Sequence, residues 1–283
     1  MPNANDNSDI LYHYTSQQGL LGILAQKELW ASQIHFLNDS MEFWHAFEVA
    51  RNELQRQLEG AHDQVKEKLE TLLGNLDSTA HVGVCVSSFS EHGDSLSQWR
   101  AYCGDGAGFA IGFAREELRA LGEREGFTLQ PCEYDDDAQK ARVLKTIDEV
   151  MSTDFDTFPG FQNPIYPNEI VIFQTGGNFI ECLTKLAPLL KHTSFMEERE
   201  WRLVSPGIPP ERLCYRPGAS MITPYFRLPL TADAKLNCIK RIVIGPTPHP
   251  KLSEKSVDDL LVSSGFPRFA VEVRTSATPF RNW

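Results

Sequence analysis

Strand-like runs are scattered unevenly along this chain and are separated by helices of very different length. Apolar alternation or β-branched and aromatic enrichment marks residues 10–16, 33–37, 81–89, 109–113, 127–134, 200–204, 213–215, 225–228, 239–245 and 269–274. Helical spacing marks residues 20–26, 41–58, 62–73, 94–102, 137–151, 174–190 and 253–262, with a further helix from Arg115. A regular βαβ array needs evenly repeated crossovers, so this pattern predicts an α+β chain with a split, mixed or antiparallel sheet. With no internal repeat or low-complexity linker, residues 1–283 read as one domain. Residues 1–9 form a disordered tail, and 41–75 and 137–190 are helical insertions. Thr157–Asn168, rich in proline and aromatics, reads as a loop or lid.

The opening segment, Leu11-Tyr12-His13-Tyr14-Thr15-Ser16, is an aromatic strand closed by two helix-capping residues. Alternation places His13 with Leu11 and Thr15, and Tyr12 with Tyr14 on the other face. Asn38, Asp39 and Ser40 read first as a cap for the following helix. Val82, Val84 and Val86 alternate toward a polar strand end, Ser87-Ser88-Phe89-Ser90-Glu91. A short helix then carries Trp99 and Tyr102 one turn apart. Gly104, Gly106 and Gly108 lead into a strand rather than a helix, so they make no dinucleotide fingerprint or phosphate loop.

Phe195–Val204 crowds Glu197, Glu198 and Glu200 with Arg199 and Arg202 around Trp201. Extended from Glu198 onward, it would place Glu198, Glu200 and Arg202 on one face. Two carboxylates so placed repel unless cations screen them or a ligand uses the charge, and Lys191, Arg199 and Arg202 are the cations at hand. One reading is a solvated, salt-bridged strand end; the other is a functional carboxylate pair.

Composition narrows the classes. The net charge of −11 argues against bulk electrostatic coating of nucleic acid, yet from Lys185 onward 15 Lys and Arg face 9 Asp and Glu. A basic final third suits a phosphate-bearing ligand or partner. The six cysteines stand singly, without metal-type spacing, and read as reduced core thiols. No apolar run is long enough to span a bilayer and the polar N-terminus is no signal peptide, which predicts a cytoplasmic protein with no membrane partner.

The ordered set LYHYTS, FSE, LSQWRAY, GFAIGF and FMEEREWRLV resembles a bacterial family of unknown function (DUF2971), usually placed with the ADP-ribosyltransferase-like fold. The opening strand, cap and helix are also similar to the start of DNA-directed ADP-ribosyltransferase toxins. The resemblance implies NAD as substrate, no metal, and catalytic residues Glu200, Glu198 and His13. It implies an NAD cleft lined by His13, Tyr14, Thr15, Asn38, Ser88, Ser90, Trp99 and Tyr102. The middle catalytic position falls to Ser88, Ser90 or Tyr102. Tyr14 is available for nicotinamide stacking only with a local twist, while Tyr102 or Trp99 needs none.

Cleaving the nicotinamide–ribose bond expels a neutral group from a pyridinium and leaves oxocarbenium character on the ribose, which a fixed carboxylate stabilises. Glu200 takes that role, Glu198 orients or deprotonates the nucleophile, and His13 holds a ribose hydroxyl or the carboxamide. The expected activity is ADP-ribosyl transfer to a protein or nucleic acid, in a toxin or phage-defence effector with a possible immunity protein or antitoxin as partner. NAD glycohydrolysis and a non-catalytic nucleotide-binding module are the alternatives. Glu200→Gln, nearly isosteric, is expected to stop nicotinamide release and leave the fold intact.

Overall fold

The structure, a computed structural model, describes residues 9–37, 40–76, 83–102, 108–152, 173–218, 220–230 and 238–279. It is a mixed α+β arrangement built on an open sheet in which, among the described residues, ten strands join. The predicted lid at Thr157–Asn168, the glycines at 104 and 106, the tail to residue 8 and the Asn38–Asp39 cap lie outside the described residues.

The chain begins with β1 (Ile10–Thr15), then α1 (Gln17–Gln26), whose N-cap Ser16 accepts from the Gly19 amide. Lys27 ends the helix in the left-handed region, φ 56°, and turns the chain at once into β2 (Glu28–Gln33). The strand expected at Gln33–Leu37 is therefore displaced. Ile34–Phe36 form a 3-10 turn instead, anchored where the Ile34 amide donates to Val84 O.

Next come α2 (Ser40–Leu58), α3 (Asp63–Asn75), β3 (Cys85–Ser90) and α4 (Leu96–Tyr102). β4 (Phe109–Ala114), α5 (Arg115–Arg124), β5 (Thr128–Pro131) and α6 (Asp136–Ser152) follow. After α7 (Phe173–Leu186), two 3-10 turns, Ala187–Leu189 and Thr193–Glu198, lead into β6 (Glu200–Val204). The last elements are β7 (Cys214–Pro217), β8 (Ile222–Pro229), β9 (Ile239–Ile244), α8 (Pro250–Ser263) and β10 (Glu272–Thr275). Phe269, expected to open the last strand, is 92% exposed with φ 64°, a backbone no strand uses, so β10 starts three residues later.

The sheet forks at β3. One edge of β3 pairs with β6 from Val86↔Val204 to Ser90↔Glu200. Its other edge is shared: β2 pairs at Gln33↔Cys85 and Ser32↔Val86, and β1 meets it at Tyr12↔Ser90. Ser87, Ser88 and Phe89 thus have a strand partner on one side and stand at the mouth of the fork on the other. β1 continues into β4, β9 and β10, while β2 continues into β8 and β7.

Side-chain parity divides the core between the two faces of the sheet. Leu11, Phe89, Ile111, Phe113 and Leu203 pack beneath α1, α5 and α8 with Leu20, Leu24, Leu118 and Leu261. Val86 and Val204 point the opposite way, into a cluster with Phe43, Phe47, Leu69, Leu72, Val143, Ile147, Phe179 and Leu183 from α2, α3, α6 and α7. The two helical insertions therefore pack on one another and cover this second face. Each fully buried aliphatic or Phe side chain there contributes roughly 1.5–3 kcal/mol of transfer free energy.

Candidate functional site

Glu200 opens β6 because Arg199 adopts the left-handed region, φ 45°, at the end of the preceding 3-10 turn. The extended run expected from Glu198 therefore starts two residues later, and Glu198 belongs to the turn. The two carboxylates nevertheless converge. Lys191 Nζ, its side chain almost fully buried, lies 2.5 Å from Glu198 Oε2 and 2.6 Å from Glu200 Oε2. Arg202, two residues along the same face, grips Glu200 with Nε at 2.7 Å and Nη2 at 3.1 Å, and donates from Nη1 to Pro188 O at 2.7 Å.

These cations set the charge state. Burial by itself would raise the Glu200 pKa, but Arg202 and Lys191 outweigh it and hold the carboxyl down to about 2. Burial would lower the Lys191 pKa, and its carboxylate partners, Glu200 first, reverse that and raise it. Both groups are ionised across the whole neutral range. The backbone is held with equal care: the Glu200 amide donates to Tyr134 Oη at 2.9 Å, and the Cys132 amide donates to Glu200 O at 2.9 Å. Burial raises the pKa of the Tyr134 hydroxyl, which is therefore protonated.

Ser90 ties β3 to the turn. Its Oγ donates to Glu198 O at 2.7 Å and accepts from the His92 amide at 3.1 Å. Since Tyr12↔Ser90 and Ser90↔Glu200 are consecutive register pairs, the side chains of Tyr12, Ser90 and Glu200 form one row across three neighbouring strands. Ser88 and Arg202 form the next pair on the same face. Tyr12 Oη accepts from Arg241 Nη1 at 2.6 Å, and the loop over its ring needs glycine: a Cβ on Gly93 would come within 2.5 Å of it.

His13 lies on the opposite face. It pairs with Ile111, and its ring stands 5.7 Å from that of Phe89, both being residues of the first core. His13 Nδ1, at 3.0 Å from Ser88 O, carries the proton and donates across the mouth of the fork. Burial lowers its pKa and the Ser88 carbonyl only partly compensates, so the ring is neutral at pH 7. The structure thus does not bring His13 and Glu200 onto a shared face. Thr15 is half-buried against α1, where a Cβ on Gly19 would collide with its Oγ1.

Tyr14 shares the Glu200 face of β1 and stacks edge-on to Trp99 at 4.7 Å. Its hydroxyl donates to His92 O at 2.7 Å and accepts from the Ser95 amide at 3.0 Å. Trp99 is 1% exposed and donates from Nε1 to Asp94 Oδ1 at 2.6 Å, so it is a core anchor and its ring faces are covered. Tyr102, at the end of α4, is 50% exposed. Asn38 lies outside the described residues. Tyr134, Tyr12 and Asp94 have structural roles here that no spacing in the sequence announced.

Among the described residues, no group of three or more His, Cys, Asp or Glu is placed to hold a metal ion, and no helix is long and apolar enough to cross a membrane. Cys85, Cys132 and Cys238 are buried, and burial pushes the Cys85 thiol up to about 12.

A family model described as "Protein of unknown function (DUF2971)" matches residues 98–203. That span runs from Gln98 in α4 to Leu203 in β6 and takes in Trp99, Tyr102, Glu198 and Glu200, leaving His13, Ser88 and Ser90 outside it. Neither the curated proteins nor the solved structures give a match to this chain.

Proposed function

We propose that the forked sheet is of the ADP-ribosyltransferase-like type and that the chain cleaves NAD, passing ADP-ribose to a macromolecule. The observation that carries this reading is the row of Tyr12, Ser90 and Glu200 on adjacent strands, beside the mouth left between β1 and β2. Glu200, anionic at every physiological pH, supplies the fixed negative charge that an oxocarbenium ribose requires. Glu198, the less buried of the pair, stands where an incoming hydroxyl can be oriented. In this reading Ser88, half-buried at the mouth of the fork, meets the dinucleotide on the Glu200 face, and the buried Ser90 holds the Glu198 turn in place. His13 acts as a positioning residue, bracing β3 from the far face through Ser88 O.

One observation favours a second reading, a non-catalytic nucleotide-binding module. Glu200 is closed off by Arg202 and Lys191, and a carboxylate so neutralised stabilises a cation less than an open one.

Incubation of the full chain with NAD labelled on the adenylate side, with and without cell extract, separates the readings. Label transferred to protein or nucleic acid is the expected result. Free ADP-ribose alone makes the chain a glycohydrolase, and bound NAD without nicotinamide release supports the second reading. No binding at all ends both. Glu198→Gln, at the less buried carboxylate, is expected to reduce transfer while preserving NAD binding.

A further inference from the structure

β10 ends one arm of the fork. Among the described residues no strand lies beyond it, and its inner edge runs parallel to β9 from Glu272↔Arg241 to Thr275↔Ile244. The Ser276 amide donates to Ile244 O at 2.7 Å, and in a parallel ladder alternate residues serve one neighbour, so residues 272, 274 and 276 bond to β9. Val273 and Thr275 therefore aim their backbone N–H and C=O groups at the open edge. Such an edge is a template for a further strand.

Beside that edge lies a groove of about 320 Å³, lined by Glu254 and Asp258 of α8 with Phe269, Val271, Glu272 and Val273. Parity puts Val271, Val273 and Thr275 on the α8 side of the sheet, the face opposite Glu200, whereas the Glu272 carboxylate is taken by Arg241 and Arg274. Glu254 marks the Thr275 end of the groove, accepting from Thr275 Oγ1 at 3.4 Å, and Asp258 lies toward Phe269 and Val271. Among the described residues the Asp258 carboxylate has no hydrogen bond or ion pair, and no Lys or Arg lines the groove. Lys255, the nearest cation along α8, is paired with Asp259 at 2.7 Å instead.

Spacing identifies what fits. Glu254 and Asp258 stand one helical turn apart, about 6 Å along α8, and residues i and i+2 of an extended chain are about 6–7 Å apart on one face. Phe269, 92% exposed, adds a ring beside Asp258 that can cover a cation or its aliphatic stem. We infer that the β10 edge docks an extended segment of a partner protein that carries Lys or Arg at alternate positions. Its backbone pairs with Val273 and Thr275, and its two cations meet Glu254 and Asp258. A second copy of this chain is the poorer occupant, since a net charge of −11 sets like against like at an acidic groove.

The test is fluorescence anisotropy of a labelled peptide, Gly-Ser-Val-Lys-Val-Arg-Val-Ser, titrated with the full chain without NAD, so that the outcome is independent of the proposed reaction. Its isomer Gly-Ser-Val-Val-Lys-Arg-Val-Ser has the same charge but turns its two cations to opposite faces, and is expected to bind more weakly. Glu254→Gln and Asp258→Asn are each expected to weaken binding of the first peptide about two- to five-fold. Thr275→Pro removes an edge-facing N–H without touching a bond to β9, a change edge strands tolerate, and is expected to weaken binding about ten-fold or more. Far-UV circular dichroism confirms that each variant is folded; should Thr275→Pro not fold, the two peptides compared on the wild-type chain still decide. No anisotropy change up to the solubility limit overturns the inference. So does equal affinity for the isomer, which would leave charge alone as the cause, or undiminished affinity in a variant carrying both carboxylate changes. Self-association of the wild-type chain in sedimentation, lost in Thr275→Pro, would make a second copy the occupant and overturn it too.

Discussion

Glu200 illustrates how a side chain that reads as isosterically replaceable is not so once buried between two cations. A glutamine in its place keeps the shape but leaves the buried Lys191 and Arg202 with one fewer counter-charge. Breaking a buried pair of this kind costs about 3–5 kcal/mol. Glu200→Gln is therefore expected to lower the urea midpoint strongly, and Glu198→Gln, whose side chain is 23% exposed, to lower it much less. Replacing Glu200 and Lys191 together by Gln and Met removes one charge of each sign and should recover part of the loss. The same carboxylate gives an acid signature. Its folded pKa, about 2, lies below its ordinary value, so the stability it contributes is complete above the unfolded pKa and disappears as pH falls toward 2. Urea titrations at stepped pH should show this loss in the wild type and a shallower one in the double variant. His13 also has a depressed pKa, but as a base. The unfolded chain binds its proton more readily, so its contribution is present above the unfolded value near 6.5 and falls away below it. Its imidazole resonances should titrate below 6.5 in the folded protein.

At the scale of elements, periodicity revealed the strands that alternate and concealed those that do not. β3 and β6 were legible because Val84 and Val86 alternate with small residues and because the charged run before Glu200 passes into apolar Leu203 and Val204. β2 was not, since a helix ending on Lys27 rather than glycine gives no stop signal, and Trp30 breaks the alternation by standing exposed between Leu29 and Ala31. The convergence of Glu198 and Glu200 was legible in outline, though a 3-10 turn and not a strand produces it. The separation of His13 from Glu200 was invisible, because the face a residue occupies relative to a distant strand depends on register, which arises only on pairing in space. The C-terminal segment after β10 was equally hidden. Asp94, just before α4, accepts from Trp99 Nε1, Ser276 Oγ at 2.5 Å, the Ala277 amide at 2.8 Å and Thr278 Oγ1 at 3.0 Å. Burial raises its pKa, but these donors outweigh burial and hold it below the ordinary carboxylate range. Asp94→Ala should loosen residues 277–278, since the Ser276 amide still donates to Ile244 O, and hydrogen exchange at the Ala277 amide should accelerate while amides of β4 and β9 stay protected.

For the molecule as a whole, the helical insertions are half of the core rather than additions to it. β3 and β6 are central strands with apolar residues on both faces: Phe89 and Leu203 on one, Val86 and Val204 on the other. The second face is covered by α2, α3, α6 and α7, and Phe43 of α2 is 1% exposed within that layer. A chain in which residues 41–75 are replaced by a short Gly/Ser linker would open Val84, Val86 and Val204 to water and strip α6 and α7 of their neighbours. Several buried side chains at roughly 1.5–3 kcal/mol each exceed the 5–15 kcal/mol by which a folded domain is stable. The truncated chain should therefore show no cooperative melt by circular dichroism. Phe43→Ala, a milder form of the same loss, should cost about 3–5 kcal/mol. Because both cores share β3 and β6, that single change should shift the transitions seen by tryptophan fluorescence and by far-UV circular dichroism together. Transitions that part, with the first core persisting after the helical layer melts, would show that the two faces of the sheet fold as separate units.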